Sequence, residues 1–208
     1  MAAGRSATFD RGLDIATVIL ISLAAIGTAW CSYQGARWGA VQFFDYTKAN
    51  ELRTEGAQWA ERTNTHRSVD VTLVLQYEYS LETNPQFSTF LINRFEPELR
   101  KAMDAWLSTD PLHNPNAPRS PLSMRAYQLK EDVQSERYVA MANALVEGGA
   151  AAQDRSDRYI FITVLFATVS FLGGIALKLR PPVDVIVTAL GFVALIGALV
   201  VTLRLPIR

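Results

Sequence analysis

The sequence predicts an all-α membrane protein with three transmembrane helices and an extramembrane antiparallel helical stalk. Three observations predict it. Two charge-free apolar runs, Tyr159 to Leu177 and Val185 to Leu203, lie either side of the basic break Lys178-Leu179-Arg180-Pro181-Pro182. A third uncharged stretch runs from Ile15 to Ala36. Between them lie two long proline-free segments rich in helix-forming residues.

Each of the two later runs is 19 residues long. At about 1.5 Å per helical residue this spans roughly 28 Å, close to the hydrocarbon thickness of a bilayer. The run from Tyr159 carries eleven Ile, Leu, Val or Phe residues. At about −0.3 to −0.6 kcal/mol each near the bilayer centre they contribute on the order of −3 to −7 kcal/mol, enough for insertion. A helix on the surface of a soluble domain needs a polar face, which neither run has.

In chain order, residues 1–12 are a polar tail with Arg5, Asp10 and Arg11, and 13–33 is the first span. A cleavable signal peptide is the rival, with Gly27-Thr28-Ala29 as its cleavage site. Apolar and aromatic character runs past that cut through Trp30, Tyr33 and Trp38, which favours a retained span. Residues 34–157 form a helical extramembrane domain. Its first part, 34–82, reads as one long amphipathic helix continuous with the span, because Trp38, Val41, Ala49, Leu52, Trp59, Val69, Leu73 and Tyr77 recur at helical spacing. Asn84-Pro85 ends it. Short helices follow over 86–108, with Pro97 at a first turn. Pro111, Pro115, Pro118 and Pro121 make 110–121 an exposed loop. A second long helix is expected over 122–157, running into a span at 158–178, with Gly148-Gly149 its weak point. The third span covers 183–204. Neither long helix carries a clean heptad, so irregular packing is expected within the stalk or between subunits.

Composition narrows the function classes. The formal net charge is zero and Lys and Arg are scattered, so no nucleic-acid face is expected. The single cysteine, Cys31, supports neither an internal disulfide nor a Cys-based metal cluster. No phosphate-binding glycine loop, zinc-protease pair or nucleophile elbow occurs, so no enzyme activity, catalytic residue or cofactor is expected. His66 reads as a surface or interhelical hydrogen-bonding residue beside Arg62 and Asp70. The spacing of Asp110 and His113 matches carboxylate-histidine pairs of di-metal bundles, but those need a helix and Pro111 interrupts it. The pairs Glu51/Glu55 and Glu78/Glu82 each share a helical face, yet a hard cation gathers more oxygen ligands than one pair supplies. No metal site is therefore expected.

Within the spans no ionisable side chain lies at depth, which argues against pumps and coupled transporters. Small residues at packing spacing do occur, namely Ala24/Thr28, Ser170/Gly174 and Ala194/Ala198, with Gly191 on the last span. Trp30, Tyr33, Trp38 and Tyr159 are expected as interface aromatics at headgroup depth, on the side from which the large loop emerges. Flanking Lys and Arg are balanced between the two sides. The 34–157 segment is acidic, with 17 Asp and Glu against 13 Lys and Arg, and long loops translocate regardless of charge. The amino terminus and the Arg180 turn are expected in the cytoplasm on this basis, with the reverse orientation left open by the balanced flanks.

The segment Ala36 to Arg62, ARWGAVQFFDYTKANELRTEGAQWAER, together with the closing hairpin, resembles a family of uncharacterised bacterial three-span membrane proteins. In that family a long helical loop follows the first span. The resemblance is one of layout and implies a multi-pass protein of the bacterial inner membrane, with no catalytic residues to carry over. Two functions fit these features. One is a homo-oligomeric membrane scaffold or accessory subunit, held in the lipid bilayer, whose stalk binds a protein partner. The other is an oligomeric ion channel with an uncharged, hydrophobically gated pore.

Overall fold

The computed structural model describes residues 7–111 and 113–208, with side chains from Asp10 onward. Arg5 and half of the predicted 1–12 tail lie outside the described residues. Among the described residues five α-helices follow one another: α1 (Ala7–Thr83), α2 (Pro85–Ile92), α3 (Pro97–Leu107), α4 (Lys130–Ala176) and α5 (Val183–Leu203). A single 3-10 turn, Pro121–Ser123, precedes α4, and there is no strand among the described residues. Parts of α1, α4 and α5 are long and apolar enough to cross a membrane, which makes this a multi-pass membrane protein. The chain divides into two compact units, Met1–Thr47 with Leu145–Arg208, and Lys48–Ala144.

In the first unit the three apolar helices pack through one face each. On α4 the buried positions are Tyr159, Ile162, Phe166, Val169, Gly173 and Ala176, stepping by threes and fours as one side of a helix must. On α1 they include Thr17, Leu20, Ala24, Cys31, Gln34, Gly35 and Trp38, and on α5 Asp184 in the first turn, then Thr188, Gly191, Leu195 and Ala198. Glycines set the closest approaches. A Cβ at Gly27 would lie 2.7 Å from the Phe166 ring, one at Gly173 2.6 Å from Ile21, and one at Gly191 2.7 Å from Leu20. Large side chains of one helix thus occupy spaces left by glycine on its neighbour, the close packing that association in lipid relies on.

These contacts also fix direction. Along α1 and α4 the partners run oppositely, Gly39 beside Ser156 and Gly27 beside Phe166, whereas α5 runs parallel to α1. The Thr17 and Thr188 hydroxyls meet at 3.2 Å, and Cys31 Sγ lies 3.7 Å from Thr202 Oγ1. The outward faces carry Ile26, Phe171 and Val193, each about two-thirds exposed, as apolar helices facing lipid should.

Gly148-Gly149 does not interrupt α4. A Cβ at Gly149 would sit 2.6 Å from the Tyr46 ring, so the residue expected to weaken the helix admits an aromatic side chain of α1. The cost of up to about 1 kcal/mol against Ala is met by that contact.

In the second unit α1 continues from Lys48 to Thr83 and pairs antiparallel with the first turns of α4. Ser135 Oγ donates to the Gly56 carbonyl at 3.0 Å, and Arg67 meets Asp132 at 3.1 Å. The α1 positions turned inward include Ala49, Leu52, Gly56, Thr63, Asp70 and Tyr77. Their spacings are again threes, fours and their sums, but only half of these residues are apolar or aromatic, which is why no heptad is visible in the sequence.

Asn84 caps α2, its side chain accepting from the Phe87 amide, and Pro97 opens α3. Arg100 Nη1 donates to the Ile92 carbonyl at 2.7 Å, tying the end of α2 to α3. Leu99, Ala102, Met103 and Trp106 form the buried stripe of α3, meeting Val74 and Tyr77 of α1. Trp106 Nε1 donates to the Pro118 carbonyl at 2.7 Å and anchors the proline loop.

The second long helix begins at Lys130, not at residue 122. Tyr127 and Leu129 are drawn into the core of this unit instead, and the Tyr127 hydroxyl is committed to Asp70. A tertiary hydrogen bond and burial override the helical propensity of the local sequence.

Candidate functional site

Three polar or apolar features stand out from ordinary packing. The first lies where α1, α4 and the end of α5 meet. The Pro206 carbonyl accepts from Trp38 Nε1 at 3.1 Å and from the Tyr159 hydroxyl at 3.3 Å. The Arg208 amide donates to Gln34 Oε1 at 3.0 Å. The guanidinium groups of Arg155 and Arg208 lie 4.6 and 5.3 Å from the Trp38 ring centroid, both within cation-π range. Proline 206 cannot continue a helix, and the segment after α5 folds back over the other two helices instead. Gln34 Nε2 is buried with no hydrogen-bond partner among the described residues.

Aromatics expected at headgroup depth therefore divide into two kinds. Trp30 and Tyr33 are exposed, with ring centroids 6.1 Å apart. Trp38 and Tyr159 are buried and face inward, a correction to their expected role. Their polar atoms are used by Pro206, and a ring turned to lipid could not reach it.

The second feature surrounds His66 in the other unit. Its Nε2 lies 3.3 Å from Glu96 and 4.0 Å from Asp70, and its Nδ1 3.8 Å from Glu131. Asp70, nearly inaccessible to solvent, accepts a 2.7 Å hydrogen bond from the Tyr127 hydroxyl. Burial, then the bond to Asp70 and its charge, push the Tyr127 phenol well above its usual range. Nearby, the backbone amide of Glu98 holds its own carboxyl below the usual range, with Lys130 adding to this. His66 was expected to engage Arg62 and Asp70; Glu96 and Glu131 come from other elements and are not legible around it in sequence. Among the described residues no group of three or more His, Cys, Asp or Glu has an arrangement able to hold a metal ion.

The remaining carboxylate pairs are distributed separately. Lys48 bonds Glu51 at 2.6 Å beside Glu55, and this contact raises the lysine's pKa. His113 Nδ1 lies 2.9 Å from Asp110 in the exposed loop. Glu78 and Glu82 border the third feature, a groove of about 430 Å³ lined by Tyr77, Leu81, Trp106, Leu107 and Pro111.

The expected helix-packing residues also separate by face. Ala24, Gly191 and Ala198 are buried between helices. Thr28 and Ser170 turn their hydroxyls to carbonyls of their own helices, Ala24 and Phe166. Gly174 and Ala194 are exposed, and no heavy atom lies within 4 Å of a Cβ built at Gly174. Both face away from the packed sides of α4 and α5, a correction to any packing role within the chain. Gly27 and Gly173 take that role instead. Gly173 continues the buried Tyr159-Ile162-Phe166-Val169 stripe, and Gly174, the next residue round the helix, does not. Comparison with protein-family models, with curated proteins and with solved structures finds no match to this chain.

Proposed function

We propose that this chain is an integral membrane scaffold or accessory subunit, homo-oligomeric and multi-pass in a bacterial inner membrane, whose helical extramembrane unit binds a protein partner. The carrying observation is the apolar face left open on α1 outside the spans. Val71, Leu75 and Tyr79 recur every four residues and are 42%, 59% and 75% exposed, close in sequence to Tyr77 and Leu81, which line the groove. An apolar surface of this kind outside lipid marks an interaction site. Oligomerisation is supported by the outward Gly174 and Ala194, with Gly197 also open, since small residues on a lipid-facing surface permit close approach of another helix. No catalytic role is assigned to any residue.

The test measures the mass of the full chain in detergent by light scattering, and places a photo-crosslinking side chain at Leu75 in cells. A multi-chain mass that Gly174→Leu reduces, together with a discrete adduct at Leu75 absent from the same probe at exposed Glu61, is expected. A monomer with no adduct refutes the reading. Reproducible conductance in planar bilayers, abolished by Gly174→Leu, would favour the channel instead. Gly191→Leu is unsuitable there because Gly191 packs on Leu20 inside the chain.

A further inference from the structure

Beside the α4 and α5 spans lies a crevice of about 440 Å³, lined by Asp154, Asp157, Arg158, Phe161, Ile162, Val201 and Leu205. Its lining changes character along the helix axis. Asp154, Asp157 and Arg158 occupy the turn of α4 immediately before Tyr159, where the apolar run begins. Phe161 and Ile162 follow three to four residues later, about 5–6 Å further along the axis at 1.5 Å per residue. Val201 of α5 and Leu205, just beyond its end, complete the apolar wall. The charged lip thus belongs at headgroup depth and the apolar wall at the top of the hydrocarbon.

An apolar crevice open sideways to a bilayer is filled by a hydrocarbon chain, because an empty one forfeits dispersion contacts and water gains no partners there. The lip carries both signs. Arg158 is bound to Asp154 at 3.0 Å and keeps further guanidinium donors, while Asp157, which is exposed, adds a second carboxylate. Zwitterionic lipid with a hydrogen-bonding ammonium matches this arrangement, its phosphate on Arg158 and its ammonium on Asp157. An anionic glycerol headgroup would leave the excess carboxylate unmatched, and a quaternary choline has no N–H to donate. We propose that this crevice is a binding site for one phosphatidylethanolamine-type phospholipid.

The test is native mass spectrometry of the full chain released from detergent after equilibration with equimolar phosphatidylethanolamine, phosphatidylcholine and phosphatidylglycerol. One ethanolamine lipid per chain should be retained about two- to fivefold over the other two, the factor an exposed charge pair supplies. Asp157→Asn should remove the preference for ethanolamine over choline, and Arg158→Gln should weaken retention of all three. Val201→Phe, at a partly exposed position, should exclude lipid by filling the wall. Thermal unfolding followed by circular dichroism identifies variants that fold. Equal retention of all headgroups, unaffected by these substitutions, would mean an annular lipid layer only and overturn the proposal; preferential retention of phosphatidylglycerol would overturn it too.

Discussion

Replacing Gly27 with Ala tests the packing of the spans most directly. The added methyl would lie 2.7 Å from Cε1 and Cζ of Phe166 and 2.9 Å from Cδ1. Carbon atoms pack best at about 3.5–4.0 Å, so ring or helix must yield by about 1 Å. Phe166 is completely buried, and its ring has no solvent-facing space into which to swing. Overpacking of this kind costs about 1–3 kcal/mol. The matching control is Gly174→Ala, where no neighbour lies within 4 Å. Both substitutions gain the same helix propensity, up to about 1 kcal/mol, which cancels when the two are compared. Unfolding of each variant in mixed micelles, followed by circular dichroism as SDS is titrated, should place Gly27→Ala about 1–3 kcal/mol below Gly174→Ala. In the double variant, Phe166→Leu should recover part of that loss, giving a non-additive coupling. Equal stability of the two single variants would refute the assignment of Gly27 to the packed face and Gly174 to the outward one.

Other substitutions address the polar features. Tyr127→Phe removes a hydrogen bond to a buried carboxylate and should cost about 1.5–3 kcal/mol near neutral pH, measured by thermal or chemical unfolding. Since the folded-state pKa of Tyr127 is raised, its contribution is complete below the ordinary phenol range near pH 10 and is lost as pH rises through the folded value. The variant should therefore lose less stability than the parent above about pH 10; identical alkaline profiles would refute this. For Glu98 the sign is opposite. Its lowered pKa makes its contribution complete above the ordinary carboxylate range and lost as pH falls through the folded value, so Glu98→Gln should flatten the acid limb of the stability profile. Trp38→Phe removes the donor to Pro206, and limited trypsin digestion should then cleave after Arg204 faster than in the parent, as read by mass spectrometry. An unchanged rate would mean that Trp38 does not hold that segment.

The sequence alone was sufficient wherever one kind of chemistry dominates a whole segment. Charge-free runs of 19 residues identify the later spans by length and transfer energy. Asn84-Pro85 and Pro97 mark helix boundaries because proline lacks an amide hydrogen and Asn supplies a cap. The start of α4 was less legible. Residues 122–129 have a helix-compatible pattern, but Tyr127 bonds Asp70, far away in sequence, and no local rule contains that partner.

What the sequence by itself determined, then, is the helical class and the stretches able to enter a bilayer, since each follows from segment composition. Tertiary structure decided which side of each span is packed. A span is apolar all round, so no polar face reveals its phase, and adjacent Gly173 and Gly174 read alike. They differ only because successive helical residues are turned about 100° from one another, which sets the first against Ile21 and leaves the second outside. The same reason governs Trp38 and Tyr159. Their rings suit the headgroup region, but the Pro206 carbonyl, contributed from the other end of the chain, turns them inward.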